Sequence, residues 1–290
     1  MGRVHVVGYL SIDRLVLDGR SIEDVPGGGA LYAALAARGA GAEVVLHACA
    51  GTDFSAAWLE RLAALGIDIA GVVPRPVPTR RARLAYVDDE RRDSAHFAEA
   101  AWWGSTRALA PCLAGAPAGD DVIAMPPVPG AILSAVCDQA RAVGARVVAD
   151  TSAAFARIDG DALRASLPAL AAFAPSLEET RILAPGMSDD EAALALAAQG
   201  CAVLQKRGAA GAVLARDGTA ALLHLPAPAA ATVVDTTGAG DSVLGAMAAG
   251  LCANRDLVVA ARDALAWGAR CVAGLGPSAL GLAADIAEAT

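Results

Sequence analysis

Lysine is nearly missing from this chain: of 23 basic residues, only Lys206 is a lysine, and Arg207 follows it. A P-loop needs Gly-Lys-Ser/Thr, so no Walker A element exists here. The dinucleotide fingerprint fails as well. It needs a third glycine three positions after Gly240, where Val243 stands, and the first strand-like run offers only Gly8-Tyr9-Leu10. The six cysteines, at 49, 112, 137, 201, 252 and 271, form no Cys-x-x-Cys pair or metal-like cluster with histidine, and read as reduced, mostly buried side chains. Positive charge is scarce. A net charge of -8 argues against a general nucleic-acid surface but leaves room for a local basic patch that takes a small anion. The longest uncharged stretches, Val122 to Cys137 and Gly218 to Val234, carry prolines and would span a bilayer poorly. Arg3-Val4-His5-Val6-Val7-Gly8 enters a strand-like run directly, without the regions of a signal peptide, so a cytoplasmic protein is expected.

What is present is apolar, rich in alanine rather than large aliphatics, and undivided by linker composition, so 1-290 is expected to be one α/β domain. Strand-like runs at 44–46, 121–124, 146–150, 171–174, 202–205 and 211–214 alternate with helical segments at 53–65, 131–143, 188–198 and 241–253. That alternation predicts a mainly parallel sheet covered on both faces, with ligands outside the carboxyl ends of its strands.

The most informative run is Asp235-Thr236-Thr237-Gly238-Ala239-Gly240-Asp241, followed at once by apolar helix-forming residues. Two glycines separated by one small residue let backbone N–H groups converge, and the helix that starts there adds its positive end. Anions bind such places. A carboxylate inside an anion site is unfavourable unless it has work to do, and taking a proton from a hydroxyl that attacks a phosphoryl group is such work.

This run resembles the carboxy-terminal signature of the ribokinase (PfkB) family of small-molecule kinases. Gly27-Gly28-Gly29-Ala30-Leu31-Tyr32 resembles that family's first glycine pair and substrate helix, and matching segments run from about residue 4 to 281. The resemblance implies a ribokinase-like three-layer fold with a small β-sheet lid. It also implies ATP and Mg2+, with K+ or another monovalent cation in some members, and transfer of the γ-phosphate to a hydroxyl of a sugar, polyol or nucleoside. Asp241 would be the general base, and the N–H groups of Gly238, Ala239 and Gly240 would hold the transferring phosphoryl group. Asp13, Gly28 and Gly29 would meet the substrate. Tyr32, where the family commonly has asparagine, would reshape the pocket. On the nucleotide side, Pro175-Ser176-Leu177-Glu178-Glu179 resembles the family's Asn-x-x-Glu element, with Ser176 in place of asparagine and Glu179 organising magnesium. Lys206, Gly208 and Gly211 match its nucleotide turn, and Lys206 would either neutralise phosphate or reach solvent. Asp235 and Thr237, with the loop 274–278, resemble the monovalent-cation site.

Segments 14-25 and 74-103 break the alternation with prolines, polar strands and the turn Asp88-Asp89-Glu90, and resemble the lid. Arg91 reads either as a substrate contact or as a solvated turn charge, and the lid face is a candidate for a homodimer contact. The changes at Tyr32 and Ser176 keep a second reading open, a catalytically impaired relative that binds a metabolite.

Overall fold

The computed structural model describes residues 2–282 apart from 18, 87–91, 94–99, 217, 220, 230 and 231. Strand β1 (Val4–Val7) leads into β2 (Ser11–Leu17), β3 (Arg20–Gly27) and helix α1 (Gly29–Gly39). Then come β4 (Val44–Ala50), α2 (Ala56–Ala64), β5 (Ile67–Pro74), β6 (Arg81–Tyr86), β7 (Arg92–Asp93) and α3 (Ala100–Ala108). The middle of the chain alternates as expected: β8 (Val122–Met125), α4 (Gly130–Val143), β9 (Arg146–Ala149), α5 (Ala153–Ser166) and β10 (Ala172–Phe173). The rest is α6 (Leu177–Leu183), α7 (Asp189–Ala197), β11 (Ala202–Lys206), β12 (Ala212–Ala215), β13 (Leu222–Leu225), α8 (Ala239–Cys252) and α9 (Leu257–Cys271).

Nine strands form one sheet in the order β13-β12-β11-β10-β9-β8-β1-β4-β5, parallel except at β11–β12 and β12–β13. Its inner strands are mostly buried on both faces, so they read as near-continuous apolar runs, while the edge strands β5 and β13 are partly exposed. Val4 and Val6 of β1 point into one core with α1, α2, α8 and α9, while Val7 points into the other with α3 to α7. That is the expected three-layer architecture. Alanine has a structural consequence on the first face, where α8 lies so close to α1 that a Cβ at Gly245 would sit 2.0 Å from the Ala33 carbonyl oxygen. Small residues let these two helices touch, and both begin at the site described below.

A second sheet, β3-β2-β6-β7, stands apart from the first. Its extent differs from the expected lid segments 14-25 and 74-103. Sheet pairing begins at Ser11, Ile67–Pro74 completes the edge of the large sheet, and Ala100–Trp103 opens α3. The helix prevails there because Trp102 buries itself against Phe155 in the second core, a contact that no local propensity encodes. Five of the six cysteines are buried and all six are free thiols, as expected.

Candidate active site

Strand β1 lies between β4 and β8: the sheet grows outward from it through β4 and β5, and later in the chain outward on its other side from β8, so the crevice outside its carboxyl end is where an open α/β sheet binds ligands. A cavity of about 130 Å³ opens there, walled on one side by the second sheet. It gathers Asp13, Gly28, Gly29, Tyr32, Gly238 and Asp241 from three segments of the sequence. Thr237 also reaches it.

The glycines make room for carboxylates. A Cβ at Gly27 would lie 1.9 Å from Asp13 Oδ2, and one at Gly29 would lie 2.7 Å from Asp241 Oδ1. The start of α1 therefore packs against both acids. Asp13 is buried and its Oδ1 accepts a 2.7 Å hydrogen bond from Ser11. Gly238 caps α8 at φ 75°, a left-handed turn that favours glycine, and a Cβ there would lie 2.2 Å from the Tyr32 ring. Tyr32 thus lies beneath the turn as well as lining the cavity. The first N–H groups of a helix have no intrahelical partner, and those of α8 belong to Ala239, which donates to the Thr236 carbonyl at a long 3.3 Å, and to Gly240 and Asp241.

On the far side of this turn lies a buried charge cluster. The Lys206 ammonium, at the end of β11, bonds the Asp150 carboxylate that follows β9, and a Cβ at Gly240 would sit 2.8 Å from Lys206 Nζ. Burial alone would pull the lysine pKa down, but Asp150, Glu179 and Asp241 hold it above the ordinary lysine value. The Glu179 pKa is raised as well, but there burial and then the Asp150 charge favour the neutral acid, with Lys206 opposing. Its position comes from a capping box at α6, in which Glu179 Oε2 accepts from the Ser176 N–H at 2.6 Å and Ser176 Oγ accepts from the Glu179 N–H at 3.4 Å. Its neighbour Glu178 is exposed and pairs with Arg157. The Lys206 ammonium is thus held by Asp150, with its side chain 13% exposed.

Gly208 and Gly211 form the turn between β11 and β12, where Gly211 has φ 88° and a Cβ would lie 2.1 Å from the Leu225 carbonyl oxygen. Hairpin geometry accounts for that glycine. Asp235 is buried and ties two loops, accepting at 2.9 Å from the Thr237 N–H and at 2.8 Å from the Gly276 N–H. The segments 235–237 and 274–278 do meet. Arg91 lies outside the described residues.

Two residues of the site escaped the sequence reading. Asp150 is the last residue of the strand-like run 146–150, and its place at the carboxyl end of a parallel strand was the available signal. Arg80 lines the cavity from the segment before β6, where it reads as one arginine among several.

The chain matches the model of the pfkB family carbohydrate kinases over residues 2–282, and it belongs to that family. These proteins are phosphotransferases acting on hydroxyl groups of small molecules. A cytidine kinase of Thermococcus kodakarensis is 40% identical over 90 residues, a stretch that is 31% of this chain and about a third (32%) of that protein. Among solved structures, aminoimidazole riboside kinase from Salmonella enterica, complexed with aminoimidazole riboside and an ATP analog, aligns with a TM-score of 0.72 at 22% identity, covering 96% of each chain. A candidate ribokinase II from E. coli, in complex with ATP and Mg2+, aligns with a TM-score of 0.71 at 22% identity, covering 96% of this chain and 94% of its own. At these identities the structures share the fold. No helix among the described residues is long and apolar enough to cross a membrane.

Proposed function

We propose that this protein is an ATP-dependent kinase that transfers the γ-phosphate to a hydroxyl of a sugar, polyol or nucleoside. The observation that carries this reading is the meeting of Asp241, Asp13 and the start of α8 around one cavity. Asp13 accepts hydrogen bonds from substrate hydroxyls and orients the one to be phosphorylated. Asp241 takes the proton of that hydroxyl as its oxygen attacks. The N–H groups of Gly238, Ala239 and Gly240 hold the phosphoryl oxygens, where fixed donors stabilise the charge that spreads over them in the transition state. Lys206, close against Gly240, adds a positive charge that needs no reorganisation during transfer.

The residues present fit magnesium. Asp150 and Glu179 both act on one ammonium and offer carboxylate oxygens, and Mg2+ is typically held by one or two carboxylates together with substrate phosphates. When bound, the ion supplies charge neutralisation on the phosphate oxygens. Asp235 and Thr237, with the loop 274–278, are the residues that would hold a monovalent cation.

The test is phosphoryl transfer from ATP across a panel of sugars, polyols and nucleosides, with products identified by mass and Asp241→Asn as the inactive control. A phosphorylated product that forms with wild type and not with the variant supports the reading. Ligand binding without any transfer across the panel would favour the metabolite-binding alternative.

A further inference from the structure

Arg80 and Arg81 both line the cavity, and the proposed chemistry uses neither. The guanidinium carbon of Arg80 lies 4.0 Å from the ring centroid of Tyr9 and 4.7 Å from that of Trp102, so aromatic faces hold it in place. Tyr9 is itself fixed, donating a 2.9 Å hydrogen bond to the Thr106 carbonyl. Arg80 Nε is buried and meets no hydrogen-bond partner among the described residues. Neighbouring Arg81 contrasts with it, since its two nitrogens engage Asp24 at 2.8 Å and Asp53 at 2.9 Å. Arg80 forms no ion pair among the described residues, although Asp13 lines the same cavity. Burial and its consequences show in its titration, which falls to about 10 despite the opposing charges of Tyr9 and Asp13.

A buried donor without an acceptor costs free energy, and a buried cation costs more, so such a group persists where a ligand completes it. Aromatic packing on its faces leaves the in-plane N–H edge for recognition, and that edge matches a two-oxygen anion bidentately. Building on the kinase reading, we propose that Arg80 is a substrate-recognition residue and that the acceptor is a polyhydroxy compound bearing an oxyanion, a carboxylate or a phosphate, away from the hydroxyl presented to Asp241. Asp13 and Asp241 then face the hydroxyl end and Arg80 the anionic end, so charge orients the molecule in the cavity. A neutral parent compound would leave Arg80 unpartnered and bind less well.

Calorimetry with the full chain tests this, using matched trios of a neutral sugar, its sugar acid and its monophosphate, together with uncharged nucleosides. Measurements run with and without a non-hydrolysable ATP analogue, which occupies the phosphate turn and prevents an anion there from being counted. Wild type is expected to bind at least one of the two anionic forms about tenfold or more tightly than its neutral parent, and the acid and phosphate arms identify which oxyanion is used. Arg80→Gln should erase that preference while leaving the weak binding of the neutral parent in place. Arg80→Lys, which keeps charge but loses the fork, should restore only part of it. The wild-type contrast needs no variant, so it decides the matter even if Arg80→Gln does not fold. Equal affinity for charged and neutral members, or tightest binding by an uncharged nucleoside, overturns the proposal. Binding is read without turnover: anion selectivity without transfer would sink the kinase reading and leave this one standing.

Discussion

Two buried polar clusters sit at opposite ends of the same sheet, and they differ in what they leave open. Toward the amino ends of β1 and β8, Asp121 Oδ2, His5 and His47 form a chain of contacts at 3.0 Å and 2.9 Å. One assignment satisfies every atom of it with both rings neutral. The Ala114 N–H donates to His47 Nδ1 at 3.3 Å, His47 Nε2–H to His5 Nδ1, and His5 Nε2–H to Asp121. Asp121 also accepts from the N–H groups of Arg3 and Ala118, both at 2.7 Å. The chain is closed at both ends. At the carboxyl ends, by contrast, Asp150, Lys206 and Glu179 place two acids and one ammonium against the turn that opens α8, a charge excess beside a cavity. Burial of charge is costly in both places, but only the second arrangement has something left to offer a ligand.

The contrast predicts that substitutions at the carboxyl end cost turnover and those at the amino end cost stability. The largest effect belongs to Asp241→Asn, which keeps size and removes the base. Its kcat should fall by about 10²- to 10⁴-fold while KM for ATP moves little. Single-turnover kinetics isolate the transfer step, and a rate equal to wild type would reduce Asp241 to a helix cap.

Lys206→Met comes next. It leaves Asp150 and Glu179 facing each other without a cation, and removing one partner of a buried pair costs about 3–5 kcal/mol. Turnover should also fall by about 10², the scale of losing one preorganised electrostatic contact. Adding Asp150→Asn should recover part of the stability in urea titrations and none of the rate. Recovery of both would mean that this cluster is as purely structural as the histidine chain.

The amino-end cluster is tested by pH. Burial, with the His5 charge adding to it, holds His47 down at about 4, and burial lowers His5 as well despite Asp121. A folded imidazole with a pKa below its unfolded value of about 6.5 binds fewer protons than the unfolded chain, so acid favours unfolding. The contribution is whole above about pH 6.5 and is lost as pH falls toward about 4, amounting to roughly 3 kcal/mol for His47. Urea midpoints measured from pH 7.5 to 4.5 should trace that loss. His47→Leu should lower stability at pH 7.5 and flatten the acid slope, with kcat unchanged.

How much of this was legible beforehand follows the range of each contact. The strand alternation and the Gly238–Asp241 turn are local, and both stand where the sequence places them. Lys206 and Asp150 are 56 residues apart, and His5 and Asp121 are 116 apart, so neither pairing leaves a local signature. Arg80 is invisible for the same reason: its aromatic clamp comes from Tyr9 and Trp102, on either side of it in the chain. Gly28 and Gly29 were readable as a place of close approach, but that Asp13 crowds Gly27 and Asp241 crowds Gly29 needed the fold.

Ser176 gives the smallest effect and the sharpest view of how the carboxyl-end cluster is held. Its side chain caps α6, and its own N–H anchors Glu179 at 2.6 Å. Ser176→Ala removes the side-chain cap and should cost about 1 kcal/mol, whereas Ser176→Asn, an equally good cap, should be nearly neutral. Neither substitution touches the backbone N–H, so Glu179 stays in place and kcat should change less than about threefold in both. Urea titrations read the first effect and steady-state kinetics the second. A kcat for Ser176→Ala as low as that of Lys206→Met would show that the serine hydroxyl, rather than the backbone, positions Glu179. The line between a closed structural cluster and an open functional one would then run through the cap itself.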